Sequence, residues 1–309
     1  MVKTRPEALS RRRAACKSPP PAYVSSPDRK HLTGMSPAPP LFVNLLLAGA
    51  VLLLAGCYKV PVTGRSAVNM VSDEAVIKVS AEAFAEIKKQ TPLTRNRAYQ
   101  DRVQRIGERL AKVAFWDVPA ADWEFVVLES PDQINAFAMA GGKVGVYTGL
   151  FKIVHNDDQL ASVIAHEIAH VAAKHVNERL SQNMAIQGGG LVVGGLMSTA
   201  PGSSIASSAV MEAYGLSTGI TATGFDRKKE KEADHIGLIY MARAGYNPEE
   251  AIKVIENLEQ ASTGRPTPPA WISTHPSYPE RILQMIDLMP KALEIYQGSG
   301  QKNVPQLVK

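Results

Sequence analysis

Residues 156–180 read NDDQLASVIAHEIAHVAAKHVNERL, and no other segment restricts the fold of this chain as much. Asn156 with Gln159 three residues later has the pattern of a capping box, and about six turns of good helix formers follow. At about 100° per residue, positions four apart return to within about 40° of the same direction. His166 and His170 therefore project one above the other and can share a metal ion, while Glu167 can reach a water on that ion. The spacers Ile168 and Ala169 suit a buried helix, where two solvent-facing histidines would not need them. The fold must then bring a further ligand to this helix, because a catalytic zinc keeps three protein ligands and an open position.

The second segment that can supply it is DRKKEKEADHIG, from Asp226, which opens a strong helix running on to GLIYMARAGYNP. Glu230, Ala233, Asp234 and Gly237 share one helical face. Glu230 can face a metal while Asp234, one turn on, supports a ligand or takes part in proton transfer. By spacing alone Glu232 is nearly as good a ligand. Periodicity prefers Glu230, because the small residues Ala233 and Gly237 allow close helix contact on its face. Lys228, Lys229 and Lys231 read as a solvated charge run.

The rest of the body is α+β, mainly helical with a small antiparallel sheet. Residues 72–90 carry apolar side chains at helical spacing behind a capping Ser72, and Thr91-Pro92 ends the run. Residues 95–114 form a second amphipathic helix through Val103, Ile106, Leu110 and Val113. Trp123 to Leu128 reads as a strand. Residues 135–139 lead through Gly141-Gly142 into Lys143-Val144-Gly145-Val146-Tyr147, a hairpin-like unit. Residues 181–225 hold one charged side chain, Glu212, with many Gly, Ser and Ala, and read as a lid or membrane-leaning loop.

The 309 residues carry a net charge of +5, which suggests a nucleic-acid or acidic-membrane partner until the charge is located. Residues 1–56 hold eight basic side chains against two acids, so residues 57–309 carry −1 and nucleic acid is set aside. The run LFVNLLLAGAVLLLAG, sixteen residues without a charge, is short for a membrane span and suits a signal sequence. It ends in Leu54-Ala55-Gly56-Cys57, which resembles the bacterial lipobox, so Cys57 is a candidate for acylation and attachment to a bilayer. The other cysteine, Cys16, lies in the leader, leaving no pair for a disulfide. The expected organisation is a leader over 1–56, a tether over 57–70, a metallopeptidase domain over 71–292 and a tail over 293–309.

Taken in order, NAFAMAGGKVGVYTGL, HEIAHVAAKH, EKEAD with HIG, YMARAGYNP and STHP resemble the gluzincin metallopeptidases that include the CAAX prenyl endopeptidases and bacterial HtpX, metallopeptidase family forty-eight. The likeness covers roughly residues 58–290 and is nearest to a periplasmic lipoprotein subgroup. It implies one zinc ion per chain, held by His166, His170 and Glu230, the first glutamate of the family's E-x-x-A-D motif, with Glu167 as base. Asp234 then corresponds to a proton donor. The segment Gly142, Lys143, Val144, Gly145, Val146, Tyr147 corresponds to the strand on which an extended protein substrate pairs. His275 matches a histidine that approaches the zinc and holds some relatives inactive; a capping or core histidine is the plainer reading. His175 ends the zinc-helix motif and reads as structural, and His155 and His235 as local hydrogen-bonding residues. Only about 35 residues follow His275, so the tetratricopeptide domain of some periplasmic relatives is expected to be absent. The expected function is a zinc endopeptidase degrading misfolded or misassembled envelope proteins, facing the periplasm from the outer membrane. An envelope chaperone with a plugged zinc site, or a hydrolase of another envelope amide, are the rivals.

Overall fold

Four helices begin where the sequence offers a side chain to take up orphan backbone N–H groups. In the computed structural model, which describes residues 57–186, 204–216, 225–264, 269–276 and 279–299, Ser72 caps α1 (Asp73–Gln90) and Asn96 caps α2 (Arg97–Ala114). Asn156 caps α3 (Asp157–Ala172), its Oδ1 accepting from the Gln159 N–H at 2.8 Å. The expected reciprocal arm shifts by one residue, since the Gln159 side chain accepts from His155 N–H at 2.8 Å. Asp226 caps α6 (Arg227–Arg243) by accepting from Lys228 and Lys229 N–H, both at 2.9 Å. The remaining helices are α4 (His175–Ile186), α5 (Ser204–Ala213), α7 (Glu250–Ser262), the short α8 (Ala270–Thr274) and α9 (Pro279–Ser299).

The class is α+β, mainly helical, as expected. Three strands, β3 (Glu124–Leu128), β4 (Ala136–Met139) and β5 (Lys143–Tyr147), form a sheet of order β3-β5-β4. β4 and β5 pair antiparallel through a tight connection in which Gly141 and Gly142 have φ of 81° and 82°, open to glycine and strained for other residues. β3 adds to the far side of β5 in parallel. Both faces of the sheet are covered. Phe125, Val127, Ala136, Ala138, Val144 and Val146 join the core built with α2, α3 and α6. Val126, Leu128, Phe137, Met139 and Tyr147 join a second cluster with α1, α4 and α5. A strand buried on both faces reads as a continuous apolar run, which is why β3 does.

Three expectations are corrected. The single six-turn helix breaks after Ala172, because Lys174 takes φ +53° and the chain restarts at His175 as α4. Lys174 is held there by an ion pair to Asp73 and by the ring of Tyr58. Residues 57–70 are not a loose tether: β1 (Cys57–Lys59) and β2 (Ser66–Val68) pair as a hairpin that buries Val60 and Ala67 in the core. Tyr58 fastens it by donating to the Ala172 carbonyl at 2.5 Å. α9 continues through Ser299, past the expected boundary at 292. Of the lid-like segment, α5 packs inward through Val210 and Ala213, while 187–203 and 217–224 lie outside the described residues, as do 1–56 and 300–309. Among the described residues no helix is long and apolar enough to cross a membrane.

Candidate metal centre and active site

The contact between α3 and α6 positions the chemistry. Gly237 lies so close to α3 that a Cβ added there would meet the His166 backbone nitrogen at 3.2 Å. The close approach sets Glu230, two turns earlier on α6, opposite the two histidines. His170 Nε2 lies 3.1 Å from His166 Nε2, and Glu230 lies 3.4 Å from each of them through one or the other oxygen. His275, the residue after α8, completes the cluster: its Nδ1 is 3.3 Å from His166 Nε2 and 3.1 Å from Glu230 Oε1. All four side chains are buried.

Donors on such a cluster fit a metal. Ligands at zinc-type bond lengths of about 2.0–2.1 Å in a tetrahedron stand roughly 3.3 Å apart, and with Glu230 Oε1 as its donor four of the six separations here fall at 3.1–3.4 Å, while His166 Nε2 meets the other Glu230 oxygen at 3.4 Å. Glu230 Oε2 is buried without a hydrogen-bond donor, with Arg281 Nη1 at 3.0 Å as ion-pair partner. Three carboxylates, Glu167, Glu230 and Asp234, are buried together, and one guanidinium, Arg281, serves two of them. Burial alone would raise the Glu230 carboxyl; the charges of His275 and Arg281 instead hold it well below the ordinary range. His166 is pulled up to about 9 against its burial, by Asp234 and Glu230. The pocket is built to hold positive charge.

Glu232, the alternative ligand by spacing, points the other way. It accepts from Arg65 and Thr63 of the N-terminal hairpin and meets His175 Nε2 at 3.1 Å. Asp234 sits behind His166, its Oδ1 3.0 Å from Nδ1, with Arg281 donating to both of its oxygens at 2.6 and 2.7 Å. Of the two roles open to Asp234, this geometry is that of a positioning residue. Both of its oxygens are engaged by Arg281, and Oδ1 meets the His166 nitrogen that faces away from the other donors.

Glu167 faces the cluster, and α8 covers it. Trp271 donates its indole N–H to Glu167 Oε1 at 3.0 Å, His275 Nε2 lies 3.4 Å from the same oxygen, and the two rings stack at 4.8 Å. α8 is tied at both ends, Trp271 N–H to the Ile134 carbonyl and Phe225 N–H to the Thr274 carbonyl. Trp271 and Arg281 were not singled out in the sequence. A lone tryptophan in PPAWISTHP and an arginine in a helix opening PERIL carry no local sign of a partner a hundred or about fifty residues away.

The strand expectation is corrected as well. Gly142–Tyr147 cannot take an added strand, because β5 is central and bonded to β3 on one side and β4 on the other. Among the described residues β4 has no strand partner on its other side, next to α8, although its residues are buried. Cys57 begins β1, opposite Val68.

The profile of peptidase family M48 matches residues 97–287. The mitochondrial metalloendopeptidase OMA1 of Saccharomyces cerevisiae is 32% identical over 272 residues, covering 80% of this chain and 76% of the yeast protein. Its namesake in Schizosaccharomyces pombe is 29% identical, covering 82% and 72%. A β-barrel assembly-enhancing protease of Yersinia pestis is 29% identical over 78% of this chain but only 51% of its own length. These findings overturn the expected location at a bacterial outer membrane: the relatives matched along most of their length are mitochondrial proteins, and the bacterial one matches over half of its own. They leave the chemistry intact. With the family's profile spanning the metal cluster, its base and its supporting helices, the chain belongs to peptidase family M48 and is a metalloendopeptidase.

Proposed function

We propose that the chain is a zinc-dependent endopeptidase that cleaves misfolded or misassembled proteins presented in extended form. The observation that carries this reading is the set of four buried donors at 3.1–3.4 Å with Glu167 against it. His166, His170 and Glu230 would hold the zinc, which when bound supplies Lewis acidity and a water that ionises near neutral pH. Glu167 takes the proton of the attacking water and delivers it to the leaving amine, the standard duty of a positioned carboxylate. Asp234 and Arg281 keep the His166 ring turned toward the cluster.

Substrate would add along β4. Tyr147 N–H donates to the Asn135 carbonyl, so by antiparallel alternation Ala136 and Ala138 turn their backbone groups away from β5. Ala136 N–H is taken by the Asn135 side chain, which leaves Ala138 as the central pairing position for an extended peptide. α8, bonded to Ile134 just upstream, stands at the end of that edge and must move for a substrate to reach Glu167. A bilayer attached at Cys57, next to the charge-free run 41–56, is part of this reading.

The closure by Trp271 and His275 supports a second reading, a chaperone or scaffold with a plugged metal site. Incubation of zinc-loaded protein and of its His275→Ala form with unfolded casein, followed by mass spectrometry of the products, separates the two. Internal peptides support the endopeptidase; intact casein with both forms supports the scaffold.

A further inference from the structure

The two ligand histidines of α3 are oriented by different machinery. Behind His166 stands the carboxylate of Asp234. Behind His170 stands another histidine: His175 Nδ1 lies 2.9 Å from His170 Nδ1, and both rings are buried. The break in the helix at Lys174 makes this possible, because in an unbroken helix position 175 would point about 140° away from position 170.

We propose that His175 and Glu232, held by the turn of the N-terminal hairpin, fix the tautomer of His170 and thereby set the metal affinity of the site. The proposal rests on the zinc reading above. A ligating His170 needs its Nε2 bare, so the ring proton sits on Nδ1. That N–H faces His175 Nδ1, which must accept it. The single proton of a neutral His175 is then on Nε2, where it is donated to Glu232 Oε2 at 3.1 Å. The opposite assignment would set the bare Nε2 of His175 against a carboxylate and a proton on His170 Nε2 toward the metal. Every other bond on Glu232 holds it in place as an acceptor. Thr63 Oγ1 donates to Oε1 at 2.6 Å, and Arg65 Nε donates to Oε2 at 2.7 Å. Arg65 is itself braced by two hydrogen bonds to Glu178 of α4, at 3.0 and 3.2 Å. Val62 and Gly64, with φ of 65° and 69°, shape the turn that presents Thr63 and Arg65. Residues 57–68 therefore reach the metal centre through three side chains, and whatever displaces the hairpin loosens His170.

Zinc dissociation constants from chelator competition test the relay, with imidazole nitrogen NMR of the zinc-loaded protein reading the tautomer. His175→Phe and Glu232→Ala are expected to bind zinc about 10–100-fold more weakly, the usual effect of removing an outer partner of a metal ligand. Arg65→Ala, on the half-exposed hairpin, is expected to show a smaller loss. Glu232→Gln keeps an acceptor for His175 and should restore most of the affinity lost in Glu232→Ala, which a merely space-filling role would not do. Wild-type protein should show His170 protonated at Nδ1. Variants that are folded by circular dichroism yet bind zinc within twofold of wild type would overturn the relay and leave the zinc reading standing. Should His175→Phe not fold, Glu232→Ala and Arg65→Ala carry the same test. Wild-type protein that binds no zinc would sink the zinc reading, and the relay with it.

Discussion

Arg281 shows how much one buried side chain carries at the residue scale. It is 1% exposed and pairs with both Asp234 and Glu230. Removing one partner of a buried ion pair leaves the other charge uncompensated, at a cost of about 3–5 kcal/mol. Arg281→Met should therefore lower the unfolding free energy of the metal-free protein by about that amount in urea titration; a change under about 1 kcal/mol would contradict the pairing. His166, Glu167 and His170 were legible in the sequence because helical spacing stacks the two histidines with Glu167 beside them, whereas Glu230 stood close to Glu232 by spacing and was singled out by the small residues on its face and by the family motif. Arg281 and Trp271 were not, since each acts on a residue about 45 to 105 positions distant and nothing local marks it, and the approach of His275 to the cluster was carried by the STHP resemblance rather than by spacing. Asp234 was half legible: its turn of helix was clear, but the bidentate Arg281 that assigns it to positioning comes from α9.

At the scale of elements, α8 acts as a latch. It brings Trp271 and His275 onto Glu167, and its backbone is bonded at its ends to Ile134 and Phe225. His275→Ala removes the fourth donor and one of the two groups on Glu167. Cleavage of an unfolded protein should rise several-fold while zinc is held more weakly; activity lost with zinc retained would instead make His275 a transition-state donor. The same scale shows why some elements were misjudged in sequence. YKVPVTGRSAVN looks like a tether because the two strands it belongs to are three residues each, and the burial of Val60 and Ala67 comes from helices far along the chain. The helix break at Lys174 leaves no mark in VAAKHVNERL, since Lys is a good helix former and the ion pair to Asp73 that accompanies its left-handed backbone is a tertiary contact. β5 was correctly seen as a strand, but its central place depends on β3 arriving in parallel from the other side.

Over the whole molecule, the metal cluster joins α3, α6 and the α8–α9 segment, so metal binding should act on global stability as well as on chemistry. A ligand bound only by the folded state at 100 times its Kd stabilises by about 2.7 kcal/mol. Stripping the protein with a chelator should therefore lower Tm by roughly 5–10 °C, restored by adding zinc back; an unchanged Tm would contradict a site shared among these helices. Glu167, as the base, carries the chemistry of the site. Glu167→Gln and wild-type protein, matched in zinc content and thermal midpoint, are incubated with unfolded casein. Cleavage should fall by a factor of about 10²–10⁴ in the variant, the range expected for loss of a general base. Zinc-loaded Glu167→Gln protein that cleaves casein at the wild-type rate would contradict that role.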